Sequence, residues 1–172
     1  MTAAPRIETE RLVIRAPRLE DFPPFAAHFA SPRSIHEDGP LNRTGAWKEF
    51  ATAAAGWMLR GYGSLSIEDR AGGGYLGEVG IYHLASYPEP EIGWMVLPEA
   101  EGKGIAREAA LALRAWAYDR FGWTTLVSYI GPGNTRSIRL AERLGARLDP
   151  GAPQPEDDPC LVYRHPAPEA AR

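Results

Sequence analysis

At 172 residues, with 44% apolar and 24% charged side chains, the chain has material for one folded domain and too little for two. That composition excludes intrinsic disorder, and a net charge of -3 leaves nucleic acid an unfavoured partner. No run approaches the ~18 uninterrupted apolar residues of a membrane span, and the single cysteine, Cys160, excludes an internal disulfide and a cysteine-based metal cluster.

The opening MTAAPRIETERL meets Arg and Glu before any apolar run, so the expected location is cytoplasmic. RLVIRAP (11–17) alternates as a strand does, and LEDFPPFAAHF carries Phe22, Phe25 and Phe29 at helical spacing, with its prolines tolerable only in a first turn. Residues 31–45 are dense in turn formers and read as a loop. A second helix follows on Trp47, Phe50, Ala54 and Trp57, with Thr44 as its candidate cap and Gly61 beyond its end. Three strands are predicted at 63–69, 75–83 and 91–98, joined by turns short enough for an antiparallel meander.

After Gly104 the spacing predicts a helix burying Ala109, Leu113, Trp116 and Ala117, with Arg107, Leu111, Arg114 and Tyr118 on its opposite face. A strand at 124–130, a helix over 134–145 ending at Gly145, and a last strand at 160–165 complete the chain. The expected fold is α+β, a mixed and mainly antiparallel sheet flanked by helices in the order βααβββαβαββ. It forms a single domain over 1–172, with a loose tail from about 166.

The stretch PEAEGKGIAREA (98–109) places two glycines at a helix entrance, where Ser, Thr or Asp would ordinarily cap. Without side chains, Gly102 and Gly104 let a ligand approach the main chain, and the unpaired N–H groups of a first helical turn favour an anion, most often phosphate. The nucleotide pattern GxxxxGK[ST] is absent, and GxGxxG breaks at Arg107. A glycine-softened turn without a ligand is the alternative reading.

These residues resemble the acetyl-coenzyme A signature [QR]-x-x-G-x-[GA] of the GNAT superfamily of N-acetyltransferases, with Glu101, Gly102, Lys103, Gly104, Ile105 and Ala106 on its six positions. The preceding strand, the later NTRS...RLGAR helix and the opening ETERLVIRAPRLEDF extend the likeness to nearly the whole chain, which looks most similar to the RimJ/RimL-like branch. The resemblance implies that amides from Gly102 to Ala106 hold the pyrophosphate. It implies that Met95, Val96 and Leu97 lend main-chain groups to the pantetheine arm, and that Asn134 reaches the arm from the far side. Two positions depart from the family: Glu101 stands where Gln or Arg is usual, with no evident role beyond facing water, and Ala141 stands where many members carry a Tyr proton donor.

The implied reaction is acetyl transfer from acetyl-CoA, without a metal, to a primary amine by direct attack through a tetrahedral intermediate. The acceptor is a protein N-terminal α-amine or a small-molecule amine. A lysine amine of pKa ~10.4 is about a thousandth neutral at pH 7.4, whereas an α-amine near ~7.7–8.0 is roughly a quarter neutral, so the latter needs less help from a base. Ser137 matches the position that would hydrogen-bond the leaving thiolate, or it is an ordinary helix-start serine.

Glu91 matches a frequent family carboxylate acting as base through water, or it is a solvated strand end. Glu78, inside an otherwise apolar strand, is the reserve base. His36, Glu37 and Asp38 lie in the loop expected to border the acceptor pocket, and Tyr82, His83 and Tyr129 could line it or belong to the core. Cys160 reads as packing rather than nucleophile. A non-catalytic acyl-CoA-binding module and an aminoglycoside-type acetyltransferase are the competing functions. Expected partners are the amine acceptor and at most a second copy of the chain, with neither nucleic acid nor membrane.

Overall fold

The structure, a computed structural model, describes residues 4–156 and 159–168. Its framework is an eight-stranded sheet in the order β1-β2-β3-β4-β5-β6-β8-β7. The strands are β1 (Ile7–Glu8), β2 (Leu12–Arg15), β3 (Ser64–Asp69), β4 (Tyr75–Tyr82), β5 (Glu91–Val96), β6 (Val127–Ile130), β7 (Arg147–Leu148) and β8 (Leu161–Arg164). The helices are α1 (Phe22–Phe29), α2 (Arg43–Leu59), α3 (Ile105–Phe121) and α4 (Thr135–Arg143). This is the expected mixed α+β order with the two-residue β1 added ahead of it; the penultimate strand of that order, to which the sequence pattern assigns no stretch, is β7.

Every neighbouring pair is antiparallel except β5 and β6, which α3 connects as a parallel crossover. One face of the sheet, built on Leu12, Ile14, Leu65, Ile67, Val79, Ile81 and Ile92, packs against Ala109, Leu113 and Ala117 of α3. Phe22, Phe25 and Phe29 of α1 and Phe50 of α2 form a second core with Met95 and Leu97. The Phe25 ring alone, 1% exposed, contributes about 2–3 kcal/mol through removal from water.

Local chemistry sets the helix ends. Pro23 and Pro24 sit in the first turn of α1, where a missing N–H removes no helical bond. The cap of α2 is Asn42, whose Oδ1 accepts the Gly45 N–H at 2.9 Å, and not the expected Thr44, which lies inside the helix. Helix α3 also departs from expectation: Arg114 and Tyr118 are buried, not on a solvent face. The Arg114 guanidinium donates to the Leu144 carbonyl at 2.7 Å, and the Tyr118 hydroxyl to the Pro166 carbonyl at 3.0 Å. Both polar ends are satisfied in the interior, so helical spacing alone misassigns them. Of the tail expected from about 166, residues 169–172 lie outside the described residues. Among the described residues no helix is long and apolar enough to cross a membrane.

Candidate active site

Strands β5 and β6 pair at one position only, Glu91 with Val127, and then part. The Val127 N–H reaches the Pro90 carbonyl at 3.2 Å. The next parallel rung would join the Tyr129 N–H to the Ile92 carbonyl. Side chains take both groups instead. The Tyr129 N–H donates to Glu91 Oε1 at 3.1 Å, and Ser128 Oγ donates to the Ile92 carbonyl at 2.6 Å.

Behind this vertex His165 lies 3.0 Å from Ser128 Oγ through Nε2 and 3.0 Å from Arg114 through Nδ1. Because the Ser128 proton goes to Ile92, Nε2 must carry the imidazole proton and Nδ1 must accept from Arg114. Burial, reinforced by the Arg114 charge, pushes His165 down to about 3, so the ring is neutral. With the Pro90 and Ile92 carbonyls facing β6, strand alternation turns the main-chain groups of Trp94 and Val96 into the gap.

The gap opens into a cleft of about 590 Å³ lined by Trp94, Met95 and Val96, by Gly102, Gly104, Ile105 and Ala106, and by Asn134 and Ser137 of α4. Gly102 (φ 70°) and Gly104 (φ 78°) are both left-handed, and α3 begins with no side-chain cap. A Cβ on Gly102 would meet nothing within 4 Å, and with no side chain capping α3 the helix entrance leaves room for an extended phosphate-bearing ligand.

Asn134 Oδ1 accepts the Ser137 N–H at 3.2 Å and caps α4. The Ser137 hydroxyl makes no hydrogen bond among the described residues, so the backbone-bonded helix-start arrangement is not the one present. Two expected cofactor residues sit differently from the rest. The Leu97 N–H is committed to the Leu76 carbonyl at 2.8 Å, and Lys103 lines a separate cavity on the other side of the glycine loop. Ala141, at the position of the Tyr acid, is fully buried against Ile130, Ala146 and Tyr163.

Several cleft residues carry signals that sequence reasoning passed over. Arg136, Arg139 and Arg143 recur at steps of three and four along α4 and line the cleft with Arg107. Glu101 does not simply face water: it pairs with Arg33 from the loop after α1 and with Arg136 at 2.7 Å. The buried His28 lines the cleft and contacts Glu37 at 2.6 Å, with His36 alongside. Glu37 and His36 come from the loop expected to border the acceptor pocket, whereas His28, on α1, is marked by no local pattern.

On the α1/α2 side of the sheet, Glu78 accepts the Ser64 hydroxyl at 2.8 Å and the Tyr82 hydroxyl at 3.3 Å. Gly80 and Gly93 make room for the Tyr82 ring, since a Cβ on Gly80 would lie 2.5 Å from it. Burial pushes the Glu78 carboxyl up to about 7 against those two bonds, helped by the charges of Glu37 and Glu49. Tyr129 stacks edge-on with Tyr87, and His83 meets the Tyr62 hydroxyl at 3.4 Å. Cys160 is buried with Val127 and Val162, away from the cleft. Asp38 (φ 61°) sits in the turn before Pro40. Among the described residues no group of three or more His, Cys, Asp or Glu side chains could hold a metal ion.

Residues 11–147 match the family model described as an acetyltransferase (GNAT) domain. The chain belongs to the GNAT acetyltransferase family. It is accordingly an acyltransferase, and acetyl-CoA is its acyl donor. A GNAT fold of the same shape occurs in an acetyltransferase from Agrobacterium tumefaciens, 42% identical with a TM-score of 0.88 over 94% of each chain. The L-2,4-diaminobutyric acid acetyltransferase of Streptomyces avermitilis is 31% identical over 124 residues, covering 63% of this chain and 68% of that protein. The uncharacterized protein YkkB of Bacillus subtilis is 38% identical over 90 residues, covering 50% of this chain and about half, 52%, of that relative.

Proposed function

We propose that this GNAT domain, read as a member of the RimJ/RimL-like branch, transfers the acetyl group of acetyl-CoA directly to a primary amine. The observation that carries the reading is convergence in one cleft. The main-chain groups of Trp94 and Val96 face Asn134 and Ser137 across the β5–β6 gap, and the uncapped glycine turn opens at one end of it. The amides from Gly102 to Ala106 hold the pyrophosphate, and the arginines of α4 supply charge around it. Val96 and Trp94 hold the pantetheine arm as a neighbouring strand would, and Asn134 faces it from α4.

The amine enters beside His36 and Glu37, whose carboxylate attracts an ammonium. Glu78 then removes the proton through water, its carboxyl being pushed up to about 7 by burial. Glu91 is the weaker candidate base, because its Oε1 holds the Tyr129 backbone N–H at the point where the strands part, a structural role that protonation would disturb. With Ala141 in place of a tyrosine, the Ser137 hydroxyl hydrogen-bonds the departing sulfur. Of the two acceptor classes, a small cationic amine is favoured over a protein N-terminus. The support is the likeness to a diaminobutyric acid acetyltransferase and the grouping of carboxylates, with Glu37 and Glu49 close enough to raise Glu78. A panel of diamines, amino acids, aminoglycosides and N-terminal peptides, followed by mass spectrometry of the product, tests the assignment. Acetylation confined to hydroxyl or thiol acceptors would refute it.

A further inference from the structure

The glycine loop is held from behind by a residue outside every cofactor motif. Arg11, just ahead of β2, donates from Nη1 to the Lys103 carbonyl at 2.9 Å. Its Nε reaches Glu108 Oε2 at 2.7 Å, and its own N–H reaches Oε1 at 3.1 Å. The Thr9 hydroxyl donates to the same Oε1 at 2.5 Å. Glu108 in turn belongs to the first turn of α3, its N–H bonded to the Gly104 carbonyl at 3.0 Å.

These contacts fix an orientation. In a planar trans peptide the carbonyl and the following N–H point opposite ways. Arg11 and Lys103 line the cavity of about 470 Å³ behind the loop, whereas Gly104 lines the cleft in front. Drawing the Lys103 carbonyl backward therefore turns the Gly104 N–H forward, into the cleft. Gly104 and Gly102 have no Cβ to restrict their own dihedrals, so the loop cannot hold that orientation by itself. The Arg11–Glu108 pair is 48% and 20% exposed, a setting in which an ion pair adds little to global stability. Its effect is local.

We propose that Arg11, braced by Glu108 and Thr9, is a positioning residue for the pyrophosphate site, holding the Lys103–Gly104 peptide in its anion-binding orientation. This rests on the reading that the glycine loop takes the pyrophosphate of acetyl-CoA. The test is calorimetric affinity for acetyl-CoA and for acetyl-pantetheine, which has the same arm without phosphates. Wild type, Arg11→Ala and Arg11→Lys are compared, with melting curves reporting the fold.

Arg11→Ala should weaken acetyl-CoA roughly tenfold or more while leaving acetyl-pantetheine within about twofold. Arg11→Lys should recover little, because one ammonium cannot serve the carbonyl and the carboxylate together. Equal weakening of both ligands, or unchanged acetyl-CoA affinity in Arg11→Ala, overturns the proposal. Wild-type affinity for acetyl-CoA no greater than for acetyl-pantetheine overturns instead the reading on which the proposal rests.

Discussion

Glu91 Oε1 accepts the Tyr129 N–H at 3.1 Å, at the point where the β5–β6 ladder stops. With Ser128 Oγ on the Ile92 carbonyl, it satisfies both partners of the rung that would otherwise close the cleft. Two polar side chains hold the strands apart at no cost in unpaired backbone groups.

Glu91→Gln, which keeps an acceptor oxygen, should therefore lose less than about tenfold in activity. Glu91→Leu should lower unfolding stability by about 1–3 kcal/mol through an unsatisfied Tyr129 N–H. Denaturant titration and steady-state rates on the same preparations read both effects. A Glu91→Gln variant that folds normally but is inactive would move the base from Glu78 to Glu91.

Glu78→Gln should reduce kcat/KM about 10²-fold or more. In wild type kcat/KM should rise with pH through about 7, the range to which burial lifts this carboxyl, and that limb should vanish in the variant. A limb retained in Glu78→Gln would belong to another group or to the amine.

The glycine turn and the strands of the meander are legible in sequence because each is written within a few neighbouring residues. Periodicity finds Met95 on its strand, and a helix entrance without a capping side chain marks Gly102 and Gly104. Contacts between distant segments leave no such trace. Arg11 and Glu108, His28 and Glu37, and the folding of Tyr82 over Gly80 and Gly93 all depend on how the elements pack. Arg114 and Tyr118 misled for the same reason: amphipathic spacing assigns an arginine to solvent, whereas His165 and the Leu144 carbonyl give it a buried partner. The arginine stripe of α4 lay in plain view at helical spacing and needed only the cleft to give it meaning.

Ser137→Ala should lower kcat by roughly 10- to 100-fold, short of a strong acid group, with acetyl-CoA affinity unchanged. Pre-steady-state thiol release separates this from a slow product step. Full activity would leave water as the only donor to the sulfur.

Stability should carry two opposed pH dependences. His165 is held near 3 in the fold against about 6.5 unfolded, so its contribution is complete above 6.5 and is lost as pH falls toward 3. Glu78 is held near 7 against about 4.5 unfolded, so its contribution is complete below 4.5 and is lost as pH rises toward 7. Between about 4.5 and 6.5 the slopes, each at most ~1.4 kcal/mol per pH unit, oppose one another. Wild-type stability should be nearly flat there, whereas Glu78→Gln should lose stability on acidification through that window. Parallel pH–stability curves for the two proteins would contradict the assignment.

The central claim, direct acetyl transfer to an amine, is tested most directly by thiol release from acetyl-CoA with and without the best amine from the panel, in wild type and Cys160→Ala. Release should require the amine, match acetylated product mole for mole and survive in Cys160→Ala, because this thiol is buried away from the cleft. Tight acetyl-CoA binding with no amine-dependent release, or an acetylated enzyme formed before the amine is added, would contradict it.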